Sequence, residues 1–257
     1  MNHRTEVPLT KALVVIAILA LTNTASAQVK VMMSGGFSAP FRELLPEFEK
    51  NTAITVTTSM GQSQGNGPNV IGAQLRRGVP ADVVIMSREG LEDLLAEGRI
   101  AKGTVVNLAQ TPLGVSVRAG APKPDVSTVE AFKETLLAAK SITFPLSTTG
   151  IYLTTNLFPK LGIERQISGK ITNVGVAAVA RGEAEIAIQP LSELLHVPGV
   201  AFVGTIPAEI QYISVFSAAM VEGSQEPAAS KRLIAFLTSE SAKAAIKKTG
   251  MEPVAPK

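Results

Sequence analysis

No cysteine occurs in the 257 residues, so no disulfide, thiolate nucleophile or thiolate metal ligand is available to this chain. Tryptophan is also absent and aromatic residues make up only 4%, which leaves little stacking surface for single-stranded nucleic acid. Histidine occurs twice, at His3 and His196, so a histidine-rich metal site is excluded. The formal net charge is only +3, without the concentrated basic stripe of a dedicated nucleic-acid binder. No G-x-x-x-x-G-K-[ST] phosphate loop, dinucleotide fingerprint or EF-hand run is present, and neither a cofactor nor a metal is expected.

What is present is the composition of an ordinary globular chain, 46% hydrophobic and 18% charged, long enough for one large domain or two lobes. The first 27 residues read as a secretory signal peptide. Arg4 and Lys11 give a mildly positive start, residues 12–21 are apolar but too short to span a membrane comfortably, and Ala25-Ser26-Ala27 is an A-x-A cleavage signature. Cleavage after Ala27 removes His3 and leaves His196 as the one histidine. Arg4, Lys11 and Glu6 leave together, so the charge falls from +3 to +2. Gln28, the new N-terminus, is not a cysteine that could carry lipid. The mature chain is therefore expected to be soluble, monomeric and periplasmic.

Strand and helix patterns then alternate. Residues 29–33 form a short apolar strand, Ser34-Gly35-Gly36 a turn, and Phe37, Phe41, Leu44, Leu45 and Phe48 recur at helical spacing. A β-rich run at 53–59 leads into a polar, glycine-rich loop at 60–67 and a helical pattern at 69–77. Gly78 and Pro80 precede a buried strand at 83–86, which stops at Ser87 where Leu91, Leu94 and Leu95 mark another helix. Three strand–helix units in succession imply an α/β fold with a mostly parallel sheet. Ligands in such sheets sit outside the carboxyl ends of the strands, so Ser87 is expected near a ligand, and Arg76 and Arg77 supply positive charge that could reach it.

The second half repeats this architecture without repeating the sequence. A linker at 120–124 precedes a helix at 129–139, for which Ser127 and Glu130 form a capping box. Strands at 141–144, 170–173, 186–189 and 201–203 alternate with helices starting near Ile151 and Val174. A long β run at 211–219 crosses back, and helices at 228–237 and 241–249 close the chain. The expected division is residues 28–114 with 218–257 in one lobe and 115–217 in the other, with a ligand cleft between them.

The motifs Gln74-Leu-Arg-Arg-Gly-Val-Pro-Ala-Asp-Val, Gly150-Ile-Tyr, Asn173-Val and Arg181-Gly-Glu-Ala, in that order and spacing, resemble the periplasmic molybdate-binding proteins and the wider type II solute-binding superfamily. The resemblance covers residues 29–254 and implies two hinged lobes holding a small anion, with an inner-membrane ABC permease as partner. It further implies that backbone N–H groups and hydroxyls from four loops hold the anion. The matching positions are Ser34, Gly35 and Gly36; Ser59 to Ser63; Ser147, Thr148 and Thr149; and Asn173 with Val174. Tyr152 opens the helix beside the cleft. The family usually closes its site with a tyrosine that is replaced here by Gln189-Pro190.

These departures favour an organic di- or tricarboxylate over molybdate. Gln62, Gln64 and Gln189 bring amides, and the guanidinium forks of Arg76 and Arg77 match planar carboxylates. One branch of the superfamily includes a cofactor-free aconitate isomerase, which interconverts the trans and cis isomers. Such a proton shift needs a base, for which Glu193 and His196 are the candidates, each with a structural role as the alternative. Gly61-Gln62-Ser63-Gln64-Gly65 also fits the G-x-S-x-G elbow of serine hydrolases, with Asp82, Asp93 or Asp125 and His196 completing the chain order. An elbow leads directly into a helix, however, and Asn66-Gly67-Pro68 intervenes here. The same glycines serve as an anion-binding loop.

Overall fold

The alternation of β1 (Gln28–Met33) between two apolar layers organises the first lobe. Val29, Val31 and Met33 enter a core with Phe37, Phe41, Leu44 and Phe48, whereas Met32 enters the opposite core with Ile71, Leu75 and Met86. A strand buried on both faces belongs inside a helix-covered parallel sheet. In the computed structural model, which describes residues 27–195 and 197–254, β1 is flanked in parallel by β2 (Thr55–Met60) and β3 (Val83–Ser87). The helix α1 (Ser38–Thr52) joins β1 to β2, α2 (Ile71–Arg76) precedes β3, and α3 (Arg88–Ala96) follows it. Ser87 caps α3, its hydroxyl accepting from the Gly90 N–H at 3.3 Å,.

The thirteen-residue β4 (Val106–Arg118) crosses between the lobes. Beyond it come α4 (Val129–Ala138), β5 (Ile142–Thr143), α5 (Thr148–Tyr152), a π turn at Leu153–Leu157, α6 (Phe158–Leu161) and α7 (Glu164–Ile167). β6 (Ile171–Thr172), α8 (Val176–Arg181), β7 (Ile186–Pro190), α9 (Leu191–Leu194) and β8 (Val200–Thr205) complete the second lobe. The chain returns through β9 (Ile213–Met220) and ends in α10 (Pro227–Phe236), α11 (Glu240–Lys248) and β10 (Glu252–Pro253). The strand order is β2-β1-β3-β9-β4-β7-β5-β6, with β8 and β10 also paired to β4. The second lobe has its own core around Phe132, Phe144, Phe158, Ile186 and Ile188.

Three sequence expectations need correction. The sheet is mixed and not mostly parallel: β9 pairs antiparallel with β3 and β4, and β7, β8 and β10 pair antiparallel with β4. The cap of α4 is Thr128, which accepts from the Ala131 N–H at 3.1 Å, while the Ser127 N–H donates to Asp125 Oδ1 in a turn one residue earlier. The return to the first lobe also comes before residue 218. Ile213 already pairs with Pro112, and Phe216 and Ser217 pair with β3, so residues 213–217 belong to the first lobe's part of the sheet. Gln211 marks the crossing. Its amide oxygen accepts from the Leu113 N–H at 2.8 Å, and its nitrogen donates to Leu113 O and Ile206 O, tying the two interlobe strands together.

Asp82, in the motif before β3, is a brace for the first lobe. Its buried carboxylate accepts from the Lys30 N–H, the Ser224 hydroxyl and the Gln225 and Glu226 N–H groups, at 2.9, 2.9, 3.0 and 3.3 Å. Those bonds fix the entry to α10 against the start of β3.

Candidate functional site

The carboxyl ends of β1, β2 and β3 face the second lobe, and there the two lobes enclose a cavity of about 170 Å³. The first lobe contributes Ser34 and Gly35 after β1, Gly61, Gln62 and Ser63 after β2, and Ser87 at the end of β3. The second contributes Pro145, Ser147, Thr148 and Thr149 at the start of α5, with Pro190 and Glu193 around α9. Ser214 and Phe216 of β9 complete the lining.

The lobes are closed over this space by direct hydrogen bonds. The Ser87 and Thr148 hydroxyls lie 2.8 Å apart, the Gln64 N–H donates to Ser147 Oγ at 3.4 Å, and the Ser192 hydroxyl donates to Gly36 O at 3.0 Å. Tyr212 adds a fourth tie by donating to Glu89 Oε1. Ser63 Oγ accepts from the Ser87 N–H at 2.9 Å, which draws the loop after β2 onto the end of β3. Gly36 is required by close approach: a Cβ there would lie 2.0 Å from the Phe216 ring.

Two features give the cavity its chemistry. The Ser34 hydroxyl is buried and has no partner among the described residues, so an oxygen of a bound molecule would satisfy it. Among the described residues, Glu193 is the only ionisable side chain in the lining. Its carboxyl reaches across to the first lobe, where a Cβ on Gly35 would sit 3.6 Å from Oε2. Removal from water pushes this carboxyl up to about 7, because burial penalises the charged form. Behind it lies the buried Gln189. Oriented by its neighbours, its amide nitrogen donates to Glu193 Oε2 at 3.1 Å and its oxygen accepts from the Val176 N–H at 3.3 Å,.

The structure thus brings Ser34, Gly35, Gln62, Ser63, Ser147, Thr148, Thr149 and Glu193 together, with Gly36 and Gln189 directly behind them. It does not bring Arg76 and Arg77 to the cleft. Arg76 forms a bidentate pair with Glu97, at 3.1 and 2.8 Å, on the outer surface, and Arg77 donates to Pro68 O at 2.7 Å. Both arginines stand at the C-terminal end of α2, before the start of β3. The length of β3, about 13 Å at roughly 3.3 Å per residue, separates that end of the sheet from the cleft.

Ser59 is exposed on β2, and Asn173 and Val174 are exposed before α8; none of the three lines the cavity. Tyr152 serves the interlobe crossing, its hydroxyl donating to Ile210 O at 2.8 Å and its ring stacking on Tyr212 at 4.8 Å. His196 lies outside the described residues, as do residues 1–26 of the expected signal peptide. Sequence reasoning missed Ser214 and Phe216. The available signal was a serine at an inward position of a β run, beside the point where the chain re-enters the first lobe. Among the described residues no cluster of three His, Asp or Glu side chains is suited to a metal, and no helix is long and apolar enough to cross a membrane.

This two-lobed α/β architecture, with a cavity between the lobes at the strand ends, defines a solute-binding-protein fold. The chain belongs to the bacterial extracellular solute-binding protein family, whose model matches residues 29–252. It is 40% identical over 245 residues to a protein from Pseudomonas sp. named aconitate isomerase, covering 92% of this chain and 94% of that one. Among solved structures it resembles the periplasmic molybdate-binding protein of Azotobacter vinelandii, with a TM-score of 0.70 and 21% identity over 89% of this chain and 100% of that one. It also resembles the sulfate-binding protein SubI of Mycobacterium tuberculosis, with a TM-score of 0.69 and 17% identity over 90% of this chain and 88% of the other.

Proposed function

We propose that this chain is a cofactor-free isomerase built on the solute-binding fold, moving a proton and a double bond within a small unsaturated tricarboxylate of the aconitate type. The observation that carries this reading is the lone carboxyl of Glu193 in a cleft whose other described lining residues are all neutral. Once ionised, a buried carboxylate facing the ligand works against an anion receptor, since two like charges in one site repel. A proton-shift enzyme requires it. The named activity of the relative at 40% identity supports the same reading.

In aconitate a methylene lies between a carboxylate and the alkene carbon. The Glu193 carboxylate removes one proton from that methylene, and the electron pair left behind spreads over the allylic system and its conjugated carboxylate. The double bond re-forms toward the deprotonated carbon, and the Glu193 carboxylic acid returns the proton to the carbon that was vinylic. Nothing is oxidised and no other reactant is consumed. A base titrating near neutral pH suits both steps, because the same group must accept and give the proton. The hydroxyls of Ser34, Thr148 and Thr149, with the free N–H groups at the turn after Ser34, would hold the substrate's carboxylates and stabilise the developing charge. Arg76 and Arg77 take no part.

The test is proton NMR of trans-aconitate in D2O with catalytic amounts of the mature protein, beside Glu193→Gln. Appearance of the cis isomer with deuterium incorporation, lowered by at least about 100-fold in the variant, is expected. Unchanged spectra with a panel of di- and tricarboxylates would overturn it. A second reading, capture of a small anion for an inner-membrane ABC permease, is favoured by the closed cleft of neutral donors and by the family. Tight binding without turnover would select it. Either reading places the chain in the periplasm after removal of residues 1–27.

A further inference from the structure

Gln189 stands where it touches both the proposed base and the entry to α8. Its residue is buried, its nitrogen lies 3.1 Å from Glu193 Oε2, and its oxygen lies 3.3 Å from the Val176 nitrogen. Both bonds stay inside the second lobe, on β7, α8 and α9, while the carboxyl they hold is pointed across the cleft at Gly35 of the first lobe. We propose that Gln189 is a positioning residue, whose amide anchors the Glu193 carboxyl where it faces the first lobe across the cleft. This rests on the isomerase reading of the cleft.

The surroundings leave this role to Gln189. The elements packed most extensively against α9 are the turn at Gly35–Phe37, β4, β7 and β8, and Gly250, beyond the Lys247 and Lys248 end of α11, lies near Leu191. Of the turn and these strands only β4 carries an ionisable residue, Arg118, at its far end beside Lys123 and Lys140. No neighbouring charge of the described residues therefore competes with the amide for the carboxyl. A donor to a carboxylate oxygen favours the charged form, so Gln189 opposes the upward push that burial exerts. Fixing one oxygen also removes the rotation that would let the base turn away from the substrate carbon. The Val176 contact makes the amide's own orientation unambiguous, because its oxygen is already occupied by an N–H donor.

The experiment is a carbon-13 NMR titration of the Glu193 carboxyl in ligand-free mature protein, with the resonance assigned by its loss in Glu193→Gln. Wild type is compared with Gln189→Met, which keeps length and removes the donor, and with Gln189→Glu, which keeps an acceptor for Val176. The titration midpoint is expected to rise by about one pH unit in Gln189→Met, as loss of a hydrogen bond to a charged group predicts, and to rise further in Gln189→Glu. The acid limb of kcat/KM for trans-aconitate should move by the same amount. Variants that fold, by thermal melt, with the wild-type midpoint would overturn the assignment. If the midpoint moves but wild type shows no turnover, the contact of Gln189 with the carboxyl stands while the isomerase reading, and with it a role toward substrate, fails; turnover with an unmoved midpoint keeps the isomerase reading and overturns the assignment of Gln189.

Discussion

Glu193→Gln offers a test of the cleft that needs no substrate. The carboxyl is raised from an ordinary 4.5 to about 7 by burial alone. A raised folded-state value means that the neutral form is favoured in the folded protein. The associated stability is therefore fully present below about pH 4.5 and lost as pH rises through about 7. At roughly 1.36 kcal/mol per unit, that shift amounts to about 3 kcal/mol. Part of Glu193 remains accessible, and the donor on Gln189 opposes the shift, so this figure is a ceiling. Glutamine is neutral at every pH and nearly isosteric, and it removes the dependence. Urea unfolding of ligand-free wild type and variant should agree within about 0.5 kcal/mol near pH 4, where both side chains are uncharged. Near pH 8.5 the variant should be the more stable by up to about 3 kcal/mol, or several degrees in Tm. Parallel stability curves for the two proteins from about pH 4 to about pH 8.5 would refute the buried carboxyl, and with it the chemical argument for a base.

Arg76→Ala and Arg77→Ala should leave tricarboxylate affinity unchanged by calorimetry and alter stability by no more than about 1 kcal/mol, because the Arg76–Glu97 pair is half exposed and screened by solvent,. A large loss of affinity in either would bring the arginines back to the ligand. Gly36→Ala should cost about 1–3 kcal/mol in a urea melt, since its methyl meets the Phe216 ring,. Adding Phe216→Leu should give less than the sum of the two single costs, the mark of residues in contact. Asp82→Ala should cost at least about 3 kcal/mol through the orphaned donors at the start of α10,, with ligand affinity unchanged in the folded fraction.

The sheet was legible because its cause is local. Apolar runs buried on both faces, each ending in serine or glycine before a helical pattern, describe β1 and β3 well, and the strand ends pointed to Ser34 and Ser87, while Ser63 came from the family resemblance. The misplaced arginines had a signal that went unused. A helix between parallel strands runs antiparallel to them, so charges at its C-terminal end belong to the end of the sheet opposite the ligand. The cap of α4 was misread by one residue because Ser127 and Thr128 are adjacent and chemically alike; only backbone geometry chooses between them. The early return of β9 was hidden in a β run that crosses between lobes without a break in composition.

Glu193 is the instructive residue. Its sequence neighbourhood, Leu191-Ser192-Glu193-Leu194, gave no means of separating a brace from a base, because that depends on what faces the carboxyl across the cleft. A bracing glutamate would be expected to carry a cation or several N–H donors, as Asp82 does. Among the described residues, Glu193 has one amide partner and an otherwise neutral cavity. The two acids therefore differ in what their surroundings ask of them. Asp82 is held by four donors and fixes structure, whereas Glu193 is left underpaired at the place where a ligand would stand. On the proposed reading, that contrast is what would turn a receptor fold toward proton transfer without new architecture: one carboxyl, desolvated between the lobes, would supply the base.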